Sequence, residues 1–204
     1  MACVIAPQGV RAADAPVKMV VLGDSLSAGY GLPGADAFPA RLAKALEAKG
    51  LAVSITNAGV SGDTASGGLG RVDWSVPGGT EAVILELGAN DALRGIDPAV
   101  TRKALDGILT KLKDRKIAVL LSGMYAPRNL GPDYVRDFDG IFPALAASYG
   151  ALYYPFFLDG VATDEKLNQR DGLHPTAAGV DVIVARIMPK VEELIARAKA
   201  ARGS

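Results

Sequence analysis

Met19-Val20-Val21-Leu22-Gly23-Asp24-Ser25-Leu26-Ser27 is the stretch whose reading decides the fold. An apolar run closed by a glycine reads as a short strand buried on both faces. The small polar residues that follow have no use in a core. The pattern recurs in Val53-Ser54-Ile55-Thr56, Ala82-Val83-Ile84-Leu85-Glu86-Leu87, Ile117-Ala118-Val119-Leu120-Leu121 and Ala151-Leu152-Tyr153-Tyr154. Helical spacing fills the gaps between these runs. Phe38, Leu42, Ala45, Leu46 and Lys49 fall on one face, with Gly50 where a C-cap belongs. Asp97-Pro98 pairs an N-cap residue with a first-turn proline and opens a helix carrying Leu105, Ile108, Leu109 and Leu112. Tyr134, Phe138, Ile141, Phe142, Leu145 and Tyr149 make a third stripe, with a kink expected at Pro143. Val180 to Ile195, beginning just after Pro175, makes the last. Five strands separated by helical crossovers imply an α/β fold, a parallel sheet covered on both faces. Ligands of such sheets bind beyond the carboxyl ends of the strands.

The composition narrows the function. The chain has 204 residues, half of them hydrophobic, which is material for one globular domain with a substantial core. Lys and Arg total 22 and Asp and Glu total 22, so the net charge is zero. Nucleic-acid binding, which needs a surplus of cations against phosphate, is not expected. No apolar run reaches the roughly 18–20 residues of a membrane span, so no stable membrane insertion is expected. With one cysteine, Cys3, and one histidine, His174, neither an intrachain disulfide nor a thiolate metal cluster is available. No metal and no cofactor is expected. Residues 17–202 read as the domain, and residues 1–16 as a tail or the remnant of an export signal. Small residues in Ala12-Ala13-Asp14-Ala15 suit a processing site. Export places the mature chain in the periplasm or outside the cell; a plain tail leaves it in the cytoplasm. Arg202-Gly203-Ser204 reads as a frayed end.

Small and polar residues collect where the strands end. After the first comes Gly23-Asp24-Ser25-Leu26-Ser27, after the second Ser61-Gly62-Asp63-Thr64, and after the third Gly88-Ala89-Asn90-Asp91. Before the last helix comes Asp171-Gly172-Leu173-His174-Pro175. Together they read as an acyl-transfer site. A serine hydroxyl is a poor nucleophile until a neighbouring base takes its proton, and His174 is the one imidazole in the chain. Asp171, three residues earlier, is placed to accept the other ring N–H and stabilise the imidazolium. Charge developing on a carbonyl oxygen needs preorganised donors, for which the Ser25 N–H, the Gly62 N–H and the Asn90 side-chain amide are candidates. Each such donor is typically worth about 3–4 kcal/mol of barrier. Asp24 and Asp91 read as carboxylates that brace loops.

These four blocks, in this order, resemble the GDSL-type, or SGNH, hydrolases, and in particular bacterial esterases of the thioesterase and lysophospholipase kind. The likeness extends to Leu93-Arg94-Gly95 and Pro155-Phe156-Phe157 and covers nearly everything after Val17. It implies a three-layer α/β/α sandwich on a flavodoxin-like five-stranded sheet. It also implies Ser25 as nucleophile, His174 as base, Asp171 as its partner, and Gly62 with Asn90 completing the oxyanion hole. The activity implied is hydrolysis of aryl esters, or of short to medium acyl esters and thioesters, through an acyl-serine intermediate. The expected partner is therefore a small-molecule ester or thioester; the oligomeric state is open. Apolar candidates for substrate contact are Leu93, Ile96, Met124, Tyr125 and Leu130. Met124 to Gly131 stands where the relatives have a loop covering the acyl chain, with side chains of its own.

Other readings of the same residues exist. A carbohydrate O-deacetylase of the same family would use the same site. A flavin- or nucleotide-binding module would use the glycine-rich stretch from Gly23 to Gly31 as a phosphate cradle. Against it, Asp24 would face the phosphate, and no G-x-G-x-x-G or Walker lysine follows. An ordinary α/β-hydrolase elbow needs a glycine where Ser27 stands. Trp74 and Phe156-Phe157 are expected to pack rather than to recognise substrate.

Overall fold

Residues 15–202 are described by the structure, a computed structural model, and each of the five expected strands is present. The elements run β1 (Val17–Gly23), α1 (Ser25–Ala28), α2 (Phe38–Ala48), β2 (Val53–Gly59), α3 (Ala65–Ser75), β3 (Ala82–Glu86) and α4 (Ala89–Leu93). They continue α5 (Pro98–Asp114), β4 (Ala118–Ser122), α6 (Pro132–Asp139), α7 (Ile141–Tyr149), β5 (Leu152–Tyr154) and α8 (Ala177–Ala201). The sheet order is β2-β1-β3-β4-β5 and every pairing is parallel. Helices α2 and α8 pack together as one layer, and α3, α5 and α7 as the other. This is the α/β/α sandwich that the family resemblance implied. The chain order reverses between β1 and β3, so the switch point lies beside the strand that delivers Ser25.

Local chemistry sets the element boundaries. Leu22, Ile84, Leu85, Leu120 and Leu121 are buried from both sides, each worth about 1.5–3 kcal/mol relative to exposure. Asp97 caps α5 by accepting the Ala99 N–H at 2.8 Å, ahead of Pro98 in the first turn. Gly50 follows α2 with φ +71° and stops it. The third stripe breaks at Gly140, not at Pro143. Pro143 has no N–H for the Asp139 carbonyl and its ring would strike that carbonyl, so the interruption falls one turn earlier.

Other expectations need correction. Helix α3 stands outside the expected helices because Gly67, Gly68 and Gly70 dilute its helical signal. Gly68 is there for contact: a Cβ at this position would lie 2.3 Å from Leu87 Cδ1, so the glycine lets α3 sit close on the sheet. Trp74 does not pack; it is 72% exposed, because α3 buries the face carrying Ala65, Gly68 and Val72 instead. Phe157 is buried as expected. Arg202 is no frayed end. Its guanidinium donates to both Glu81 carboxylate oxygens and to the carbonyls of Ala15 and Pro16, tying α8 to the start of β1. The proposed export signal falls mostly in residues 1–14 and lies outside the described residues. Among the described residues, no helix is long and apolar enough to cross a membrane.

Candidate active site

The blocks read from the sequence converge at the carboxyl edge of the sheet. Ser25 opens α1 directly after β1, with Asp24 as the N-cap. His174 Nε2 lies 2.9 Å from Ser25 Oγ, and His174 Nδ1 lies 2.7 Å from Asp171 Oδ2. Asp171 Oδ1 also accepts the Leu173 and His174 main-chain N–H groups, at 2.9 and 3.0 Å. These bonds, first the His174 N–H, then that of Leu173 and then the imidazole, hold its carboxyl down at about 2. It is ionised wherever the protein is folded near neutrality. The tight turn expected from the Asp-x-x-His spacing is therefore built by the aspartate itself.

The loop carrying His174 is tied to the turn that follows α1, the helix Ser25 opens. Gln169 Nε2 donates to the Tyr30 carbonyl at 2.8 Å and to the Pro175 carbonyl at 2.9 Å. Its main-chain N–H donates to the His174 carbonyl at 2.7 Å. The Tyr30 ring covers the imidazole with centroids 4.5 Å apart. No periodic signal marks Gln169 or Tyr30; proximity to Ser25 and His174 was the one available hint.

Gly62, φ +81°, sits on the exposed turn after β2, and its carbonyl accepts Arg94 Nη2 at 2.9 Å. The Gly62 and Ser25 N–H groups have no acceptor among the described residues. Asn90 lies at the start of α4, where its Nδ2 donates to Asp24 Oδ2 at 3.1 Å and to the Asp63 carbonyl at 3.0 Å. Asp91 is buried and braces: it accepts the Ala65 N–H at 2.9 Å and the Thr101 hydroxyl at 2.9 Å. Arg71 is also buried, and no local pattern in the sequence marks it. It pairs with Asp63 at 2.7 Å and donates to the carbonyls of Gly23 and Ala58, pinning the Gly62-Asp63 turn to the ends of β1 and β2.

A cavity of about 540 Å³ opens beside Ser25, Asn90 and His174. Leu93, Met124 and Tyr125 line it as expected, joined by Leu26, Phe156 and Leu158. Phe156 stacks on Tyr125 with centroids 4.8 Å apart, so this aromatic is a wall of the cavity as well as packing. Ile96 and Leu130 are not among the lining residues. Ile96 lies past the end of α4, its carbonyl taken by the Tyr134 hydroxyl at 2.8 Å, and Leu130 ends a 3₁₀ turn over 128–130. Gly62 does not line the cavity either. Among the described residues, no group of three or more His, Cys, Asp or Glu is disposed to hold a metal ion.

Comparison with known proteins follows the same lines. Residues 21–182 match the model of the GDSL-like Lipase/Acylhydrolase family. The chain is 39% identical over 165 residues to an arylesterase of Vibrio mimicus, covering 80% of this chain and 82% of that one. It is 35% identical over 186 residues to thioesterase 1/protease 1/lysophospholipase L1 of Escherichia coli K12, covering 91% and 88%. Among solved structures, AlinE4, an SGNH-hydrolase family esterase, superposes with TM-score 0.74 at 48% identity, over 87% of this chain and 96% of that one.

Proposed function

The chain belongs to the GDSL-like lipase/acylhydrolase family and is a serine esterase; we propose that Ser25, His174 and Asp171 carry its ester hydrolysis. One observation carries this assignment: the unbroken run from Asp171 Oδ2 through the imidazole to Ser25 Oγ, in steps of 2.7 and 2.9 Å. His174 Nε2 takes the hydroxyl proton as Oγ adds to the substrate carbonyl, and the ionised Asp171 stabilises the imidazolium. The resulting oxyanion is met by the Ser25 and Gly62 N–H groups and by Asn90 Nδ2, which gives up the Asp63 carbonyl and keeps Asp24 Oδ2. Collapse expels the alcohol, phenol or thiol, which leaves with the proton from His174. Water, deprotonated by the same imidazole, then adds to the acyl-serine and releases the acid.

Small-molecule esters are the substrates. Within that class, the reading favours aryl esters and short to medium acyl esters or thioesters. It is supported by the apolar walls of the cavity and by the names of the arylesterase and thioesterase relatives. Residues 17–202 are taken as the hydrolase domain, and residues 1–16 as a tail or the remnant of an export signal to the periplasm or beyond.

The test is stoichiometric labelling with an alkyl p-nitrophenyl phosphonate, followed by peptide mass mapping. One equivalent of adduct on Ser25, with activity lost in proportion, is the expected result. An adduct on another residue, or inactivation without any adduct, would overturn the assignment.

A further inference from the structure

Asp24 is fully buried and immediately precedes the proposed nucleophile. As N-cap of α1 its Oδ1 accepts the Leu26 N–H at 2.9 Å, while its Oδ2 accepts Asn90 Nδ2 at 3.1 Å. Its main-chain N–H donates to Glu86 Oε2 at 3.3 Å, and its carbonyl accepts the Ala28 N–H at 2.9 Å. One side chain thereby joins the turn after β1 to the start of α4, sixty-six positions away in sequence.

A cap alone does not call for this residue. Serine, threonine or asparagine caps a helix as well, without the cost of burying a carboxylate. What only the carboxylate brings is a second acceptor. An ionised aspartate presents two acceptor oxygens, whereas asparagine presents one and turns a donor toward whatever faces the other. Here the facing group is the Asn90 amide, itself a donor. Gly23 carries no Cβ, which leaves room for Ser27 Oγ and for Glu86 Oε2, the acceptor of the Asp24 main-chain N–H. Burial raises the Asp24 carboxyl to about 6, with the Leu26 and Asn90 bonds opposing, so it is still ionised above neutrality.

We infer that Asp24 is a positioning residue for the oxyanion hole, holding the Ser25 turn with one oxygen and the Asn90 amide with the other. The hydroxyl, the Ser25 N–H and Asn90 Nδ2 are thereby kept in one frame before substrate arrives. This rests on the reading of Asn90 as an oxyanion donor. Asp24 touches no substrate atom itself. It acts through Asn90.

The experiment is a double-mutant cycle on p-nitrophenyl acetate hydrolysis, with Asp24→Asn, Asn90→Ala and the pair combined. Asp24→Asn keeps an acceptor for the Leu26 N–H and sets an amide donor against Asn90. It is expected to lower kcat about 10–100-fold with KM little changed, the size of a small misplacement at a reacting centre. Asn90→Ala is expected to lower kcat about 10²–10³-fold. Combined, the two are expected to cost no more than Asn90→Ala alone, to within about threefold. A loss that multiplies in full in the Asn90→Ala background would overturn the inference, since Asp24 would then act on something else. Unchanged kcat in Asp24→Asn would do so too. Full kcat in Asn90→Ala would remove the donor itself and so defeat the functional reading, a failure seen without any Asp24 variant. Asp24→Ser, which keeps a capping hydroxyl but no second acceptor, gives the same readout should Asp24→Asn fold poorly; wild-type kcat in it would overturn the inference.

Discussion

His174 Nε2 lies 2.9 Å from Ser25 Oγ although 149 positions separate the two residues. Gln169 bridges the Tyr30 and Pro175 carbonyls, and an isolated antiparallel bridge joins Asn168 to Pro175, so the His174 loop is fastened on both sides. The imidazole is thus held against the hydroxyl, which gives the proposed pair the entropic advantage of a preorganised site.

Asp171→Asn is expected to preserve the turn, because one side-chain oxygen still accepts the Leu173 and His174 N–H groups. It removes the acceptor for the ring N–H and so favours the wrong tautomer. The expected loss in kcat is about 10³–10⁴-fold, measured on p-nitrophenyl acetate. A loss below tenfold would show that the carboxylate is dispensable.

The apolar cavity beside Ser25 predicts a dependence on acyl length. Each methylene that leaves water contributes about 0.8 kcal/mol, or roughly fourfold in kcat/KM. A p-nitrophenyl ester series from acetate upward is expected to climb at that rate and then level off once the chain outgrows the cavity. A flat series would mean that the acyl group lies elsewhere.

Glu86 is buried beside Asp24, and burial, reinforced by the Asp24 charge, pushes its carboxyl well above 4.5. Above that pH the unfolded chain has released a proton that the folded chain keeps. Stability from this group is therefore full below about 4.5 and declines as the pH rises toward the folded value. Glu86→Gln removes the titration. The melting temperature of the variant relative to the parent is expected to increase steadily from about pH 4.5 toward pH 8. A constant difference across that range would place the ionisation elsewhere.

Gly68→Ala tests how closely α3 approaches the sheet. The added methyl meets Leu87 Cδ1, and that buried side chain has to shift among packed neighbours to admit it. Overpacking of this kind costs about 1–3 kcal/mol, or roughly 2–12 °C in Tm for a domain of this size. An unchanged Tm by calorimetry would show that the layer yields.

The five strands, most of the helices and the residues proposed to react could all be read along the chain. Strand burial, helix periodicity and caps act over a few neighbouring residues, and one histidine beside one aspartate leaves little choice of base. Even the Asp171–His174 bond is local, three positions apart. The tertiary structure alone decided what meets across the sheet edge: Gln169 on Tyr30, Arg71 on Asp63 and two strand ends, Asp24 on Asn90, and a cavity that takes in Leu93 but leaves out Ile96. Those contacts join loops from different crossovers. Their geometry comes from how the layers pack, which no spacing along the chain encodes.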